Sequence, residues 1–222
     1  ECGIEYILKQ NLNELIGYFD WNAYFHEWKL KGDYADLISD PLSDAYMLYN
    51  ETERILSEIL SEKLIEVQAA HGLFTAFTES EDVVICTKSG IERLCFLRNQ
   101  EADRDVNPCL ADFVAPKKSG VCDYLGLFVC SARISASDAD LKKLNLNGDY
   151  HDLMLKILCN RFAEAMAELL HRRLSTRFSE NGGPIGIRPA PGYPACPDHS
   201  EKAKIFRILN VENCLEVRLN EN

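Results

Sequence analysis

The sequence predicts an α+β fold on three observations: apolar residues at helical spacing near the N-terminus, a central run of short strand-like segments separated by turn residues, and one long helix after them. Leu8, Leu12, Leu15 and Phe19 share one helical face, which predicts a first helix over about Ile4 to Tyr18. Asp40 before Pro41 is a helix start signal, so Pro41 to Ala70 reads as a long amphipathic helix closed by Gly72. Short apolar or alternating runs follow at Gly72 to Phe77, Asp82 to Thr87 and Glu92 to Leu97. With turns at Ser80-Glu81 and Ser89-Gly90, they read as an antiparallel meander. Tyr124 to Ala132 has strand length, and Asp138 to Leu144 reads as a short helix. From about Tyr150 to Phe178 a helix sets Leu155, Leu158, Phe162, Ala165 and Leu169 on one stripe, with Glu164 nearly opposite Phe162. Asp198 and Glu201 have the spacing of a capping box, which predicts a helix through Leu209, and Cys214 to Leu219 alternates like an edge strand.

Composition bounds the function. A chain of 222 residues, 46% hydrophobic and 27% charged, is long enough to bury one sizeable core or two closely packed lobes. No apolar run approaches membrane-spanning length and no basic-then-apolar leader opens the chain, which points to the cytoplasm. The nine cysteines are odd in number, scattered and never spaced as CxxC, so free thiols are the simpler account than disulfides or metal ligands. The histidines form no paired motif; His199 lies near Cys196, but no second pair completes a four-ligand zinc set. A net charge of −11 without any basic stripe argues against nucleic acid.

The stretch from Gly186 to Lys202, GIRPAPGYPACPDHSEK, concentrates the chemistry. Pro189, Pro191 and Pro194 each fix φ at about −65° and push Arg188, Ala190 and Tyr193 toward extended backbone. Such a segment has little entropy left to lose on binding. Prolines donate no N–H, so carbonyls such as that of Ala190 are expected to be open to a ligand. Arg188 can grip a carboxylate through two N–H groups, and Gly192 lets a backbone approach where a side chain would clash. A loop of this composition is otherwise a surface connection, with Arg188 solvated and Tyr193 covering a core edge.

The string RPAPGYPACP, followed by an acidic residue, His, Ser and Glu-Lys, resembles almost residue for residue the S-adenosylmethionine-binding motif of the reactivation domain of cobalamin-dependent methionine synthase: Arg, three residues, Gly-Tyr. Three further segments resemble the family in the family's order. GYFDWNAYFHEWKLKG, Gly17 to Gly32, carries Asp20 at the position of a ligand-binding aspartate. CLADFVAPKKSGVCDYLGLF, Cys109 to Phe128, is similar to the central segment, and NRFAEAMAELLH, Asn160 to His171, to the helix whose first glutamate, here Glu164, faces the ligand. The similarity runs from about residue 12 to about residue 208.

The resemblance implies a single C-shaped domain over residues 1–222, with a bent, mainly antiparallel sheet flanked by helices. It implies S-adenosylmethionine as ligand, held by Asp20, Glu164, Arg188, Ala190, Gly192 and Tyr193, with no metal and no catalytic side chain. Read from helix pattern alone, Glu164 is an exposed glutamate. Of the rings around Asp20, namely Tyr18, Phe19, Trp21, Tyr24, Phe25 and Trp28, most are expected to fill the core and one or two to face the sulfonium. The implied reaction is a repair within methionine biosynthesis. Cobalamin held by a partner domain and trapped as cob(II)alamin takes one electron from a flavodoxin-type protein and a methyl group from S-adenosylmethionine. Docking of an acidic flavodoxin would need a basic patch, for which Arg172, Arg173 and Arg177, or Lys117 and Lys118, are the candidates.

Two departures stand out. Where the family has a longer, tryptophan-containing lid, this chain has a turn at Asn181, Gly182, Gly183 and Pro184, and the family's glycine-rich C-terminal segment has no counterpart before Asn222. With Glu1 in place of a methionine, an excised domain, incomplete at its C-terminus, is the expectation. Two alternatives stay open: a freestanding reactivation partner of another corrinoid methyltransferase, and an interaction module that no longer binds the ligand.

Overall fold

The computed structural model describes residues 3–100, 106–178 and 186–220. Strand β1 (Ile4–Ile7) leads into α1 (Leu12–Leu15), α2 (Trp21–Glu27), α3 (Tyr34–Leu37) and α4 (Asp44–Glu62). Strands β2 (Ile65–Glu79), β3 (Asp82–Thr87), β4 (Gly90–Cys95) and β5 (Asp123–Ile134) follow, then α5 (Asp138–Lys143), α6 (Asp149–Ser175), α7 (Glu201–Ile208) and α8 (Val211–Leu215). The result is an α+β fold built on an open five-stranded sheet, in which β1, β2, β3 and β4 are neighbours in that order and β5 also pairs with β2. The β1–β2, β2–β3 and β3–β4 ladders are antiparallel. The chain forms two compact units. The first comprises Glu1–Ile7, Ala69–Val129 and Leu170–Asn222, and the second Leu8–Gln68 and Cys130–Leu169.

In the second unit the helices start where side chains can accept their first N–H groups. Asp20 caps α2 through Ala23 N–H at 2.9 Å, and Ser43 caps α4 through Tyr46 N–H at 3.1 Å. The apolar stripe of α6 is buried at Leu155, Leu158, Phe162, Ala165 and Leu169, and Phe162 meets Phe19 edge-on with ring centroids 5.9 Å apart. Tyr24 and Phe25 are fully buried. The Tyr24 hydroxyl shares a 2.6 Å hydrogen bond with Thr52 Oγ1, and burial pushes its pKa up to about 12.

In the first unit, β1 pairs with β2 from Ile4↔Gly72 to Ile7↔Ala69, and β3 pairs with β2 from Ala76↔Ile85 to Glu79↔Asp82. Ser80, at φ 61°, turns the β2–β3 hairpin. One core includes Phe74, Ile85, Leu94 and Phe96 of the sheet region together with Leu209, Val211 and Leu215 around α7 and α8. Arg207 grips Glu92 through two 2.8 Å hydrogen bonds, and Tyr6 donates to the Leu209 carbonyl at 3.1 Å. A second clamp fixes the 3-10 turn Leu110–Phe113. Arg98 donates two 2.6 Å hydrogen bonds to Asp112 and one of 2.7 Å to the Asn107 carbonyl, while Asp112 accepts Cys109 N–H at 2.9 Å.

Several expected boundaries moved. Ile4–Ile7 is a strand, not the first turns of a helix, because it bonds to β2; Leu8 is exposed, and helix begins at Leu12 behind the Asn11 cap. Helix α4 stops at Glu62, where Lys63 adopts left-handed backbone, φ 56°, so the stretch expected to carry the helix to Ala70 is strand. The run from Cys214 is not an edge strand: Val211–Leu215 is helical, and Glu216 at φ 56° ends it. Helix α7 forms as expected, but no capping box closes it. The Asp198 carboxylate accepts Ser200 N–H at 2.9 Å, and Glu201 is buried against Lys204 at 2.9 Å. Strands β3, β4 and β5, α5 and the long helix lie where the sequence puts them, to within a few residues at their ends, while β2 starts at Ile65 and not at the expected Gly72.

Two acid-sensitive points follow. His71 on β2 is 6% exposed, with Glu5 Oε2 at 3.8 Å and Arg173 and Arg177 nearby; burial is the main cause of a pKa below the ordinary 6.5. Below pH 6.5 the unfolded chain therefore takes up a proton that folded His71 refuses, so stability falls with pH in that window. Urea unfolding from pH 7.5 to 5 is expected to show this slope and His71→Gln to flatten it; equal slopes would assign it elsewhere. Asp112 behaves alike at lower pH, since Arg98 and Cys109 N–H hold its carboxyl at about 2, against 3.8 ordinarily. Asp112→Asn is expected to lower the unfolding midpoint at pH 7. The gap to the parent should narrow as pH falls from 3.8 toward about 2.

Candidate functional site

Proline placement shapes the loop after α6 into two successive turns. In Ala190–Tyr193, Pro191 holds the second position and Gly192 the third at φ +105°, with Tyr193 N–H bonded to the Ala190 carbonyl at 3.1 Å. Tyr193–Cys196 repeats the pattern with Pro194, closed by Cys196 N–H to the Tyr193 carbonyl at 2.8 Å. Gly192 N–H then reaches the Cys196 carbonyl at 2.7 Å, and Leu110 N–H bonds the Ala195 carbonyl at 2.8 Å. The Ala190 carbonyl, expected to be open to a ligand, thus already accepts a turn hydrogen bond. The extended segment expected from the prolines is instead folded onto itself and tied to the turn that Arg98 clamps.

Gly192 has a second requirement besides its φ. A Cβ there would stand 2.6 Å from His199 Cε1 and 2.7 Å from Nε2, so the imidazole occupies the space that any other residue would need. Cys196 is buried at the base of the loop, and burial pushes its thiol up to about 11, which keeps it protonated and unreactive at neutral pH. Tyr193 is 63% exposed. Arg188 is half-buried with its Nε fully so, and with Pro189, Ala190 and Pro191 it forms one wall of a cavity of about 280 Å³. Strand residues Leu73, Leu125 and Leu127 and helix residues Leu174 and Phe178 supply apolar walls.

The structure brings Arg188, Ala190, Gly192 and Tyr193 together in this loop of the first unit. Asp20 and Glu164 belong to the second unit, and both are exposed. Asp20 is not the buried carboxylate in search of a cation that its aromatic surroundings suggested: capping α2 gives it a hydrogen-bond donor in the protein itself. Among the rings around it, Tyr24 and Phe25 are fully buried, and Trp21 touches Phe19, Tyr34 and Tyr49. Of the basic candidates, Lys117 pairs with Glu79 at 2.9 Å and lies over the Phe77 ring, while Arg173 and Arg177 face His71. The turn at Asn181, Gly182, Gly183 and Pro184 lies outside the described residues. The cavity walls from β2, β5 and the end of α6 were not singled out, because ordinary leucines and a serine at a helix end carry no sequence signal. Among the described residues the cysteines are free thiols, no three acidic, His or Cys side chains converge as metal ligands, and no helix is long and apolar enough to cross a membrane.

Two comparisons bear on this arrangement. Residues 11–222 match the family model described as "Vitamin B12 dependent methionine synthase, activation domain". The fold is similar to a crystal structure of the MetH reactivation domain bound to AdoHcy, with a TM-score of 0.83 and 33% sequence identity over 99% of this chain and 73% of that one. The fold is thus shared with a known lineage, and the chain belongs to the family of vitamin B12-dependent methionine synthase activation domains.

Proposed function

We propose that this chain binds S-adenosylmethionine at the Arg188–Tyr193 loop and supports the reductive remethylation of a cobalamin carried by a partner domain of methionine synthase, in the cytoplasm. The observation that carries the reading is the cavity wall: Arg188, Pro189, Ala190 and Pro191 together border an apolar space, so a cationic anchor and an apolar recess occur in one place. The AdoHcy bound to the structurally similar domain supports the same ligand class. The bound cofactor supplies a methyl group activated by a sulfonium.

The chain's own part is binding and orientation. Arg188 offers paired N–H donors to the ligand carboxylate. Gly192 and Tyr193 shape the exposed face of the turn, and Ala190 keeps the wall small. Positive charge leaves sulfur during transfer, so the loop has to hold the ligand by its carboxylate without over-stabilising the starting sulfonium. A flavodoxin-type protein is the proposed electron donor.

Calorimetric titration of the 222-residue chain with S-adenosylmethionine and AdoHcy tests the reading. One-site binding is expected, weakened about 10- to 150-fold by Arg188→Ala through loss of a charge-assisted hydrogen bond. A change under about threefold would remove Arg188 from the site. Gly192→Ala forces a side chain into φ +105° and against His199, at about 1–3 kcal/mol of strain, and is expected to weaken AdoHcy binding at least fivefold. Adding His199→Ala relieves the contact but not the backbone strain, so affinity should recover in part. Full recovery would show that the contact alone matters.

A further inference from the structure

A carboxylate just after the proline loop is buried with one of its oxygens unmatched. Glu201, the first residue of α7, is 3% exposed, and its Oε2 is buried without a hydrogen-bond partner. Its Oε1 accepts Lys204 Nζ at 2.9 Å, and the same ammonium reaches the Arg93 carbonyl of β4 at 3.2 Å. A glutamate at a helix start is favoured by the helix dipole while still in water, so that effect does not call for burial. Taking the charge out of water costs free energy, and an apolar side chain of similar volume would pack the site as well or better. Packing alone does not account for a carboxylate here.

What the charge adds is direction. Arg207 ties the last turn of α7 to Glu92 of β4 through two 2.8 Å hydrogen bonds, and Glu201 with Lys204 ties the first turn to the same strand. A helix of eight residues held at both ends resists sliding or turning against the sheet. The first turn also carries His199, whose carbonyl accepts Lys202 N–H at 3.1 Å. The His199 imidazole in turn fills the space beside Gly192, its Cε1 2.6 Å from where a Cβ would stand. His199 is exposed, so no core packing fixes its ring, and its seat is set by the backbone that α7 holds. Besides burial and the Asp198 charge, the Glu201 charge raises the Cys196 thiol, so the carboxylate also lies close to the base of the loop.

We infer that Glu201 is a positioning residue: its buried carboxylate, tied through Lys204 to β4, fixes the first turn of α7 so that His199 stays seated on the Gly192 turn. The consequence for ligand affinity rests on the S-adenosylmethionine-binding reading above. The consequence for the turn itself does not.

The test compares the whole chain with Glu201→Met, which keeps the volume and removes the acceptor, and with Glu201→Gln, whose amide oxygen can still accept from Lys204. Amide hydrogen exchange reads the loop without ligand, calorimetric titration with AdoHcy reads affinity, and thermal melting reads global stability. In Glu201→Met the Gly192 and Tyr193 amides, bonded at 2.7 and 3.1 Å in the parent, should exchange at least about tenfold faster, while those of the β2–β3 ladder keep their protection. AdoHcy affinity should fall about 3- to 10-fold, with the melting temperature within about 3 °C of the parent. Glu201→Gln should stay within about twofold of the parent in exchange and affinity. His199→Ala should reproduce the faster exchange, and adding Glu201→Met to it should change little further. A residue that only fills space would lose stability and affinity together and would gain nothing from the conservative change. If Glu201→Met does not fold, Lys204→Ala, which breaks the tie from its half-buried end, takes its place. Exchange and affinity within about twofold of the parent in Glu201→Met overturn the inference, as do equal losses in Glu201→Met and Glu201→Gln. Absence of AdoHcy binding to the folded parent overturns the ligand reading, and the exchange comparison then decides the positioning role by itself.

Discussion

Strand β2 is the constraint on which the sheet depends. β1, β3 and β5 all bond to it, so its 15 residues must keep an unbroken extended backbone while most of their side chains are buried. Backbone groups in such a place have no water to turn to, and each ladder satisfies part of the demand. The same requirement accounts for the short reach of α4. Lys63, in left-handed backbone, ends the helix two residues before β2 begins, and a helix continued to Ala70 would take from β1 the partners of Tyr6 and Ile7.

The first unit turns that sheet into a support for the loop. Arg98 and Asp112 hold the Leu110–Phe113 turn, Leu110 N–H holds Ala195, and Ala195 lies within the pair of turns that presents Gly192 and Tyr193. Behind the loop, α7 is pinned to β4 through Arg207 and Glu92. The exposed ion pairs in this chain of contacts contribute little to stability one by one. Their effect is geometric, since each fixes the position of a backbone group that the next one needs.

How much of this was legible in the sequence varied with the signal. The β2–β3–β4 meander and α6 were readable because alternation and a clean helical stripe each have one physical origin. Strand β2 was misread over Ile65–Ala70 because burial on both faces erases alternation, and LIEVQAA then looks like a helix continuing. Ile4–Ile7 was misread because a four-residue strand is made by its partner rather than by its own pattern. At the site, the string from Arg188 to Tyr193 was distinctive enough to identify the family, yet the inward folding of its turns was not visible. Three prolines announce restricted φ; which carbonyls then find partners depends on Cys196 and Leu110, and those contacts exist only in three dimensions.

The packing of His199 against Gly192 gives the loop a reporter of its own. Glycine has two α-protons, and at Gly192 one of them points along the direction in which a side chain would meet the imidazole 2.6 Å away. Aromatic ring currents act steeply at that range, so the two protons experience different magnetic environments and their resonances separate. The size of that separation measures how closely the ring stays seated on the turn. The nuclear magnetic resonance spectrum therefore follows the conformation of the Ala190–Tyr193 turn without any added label.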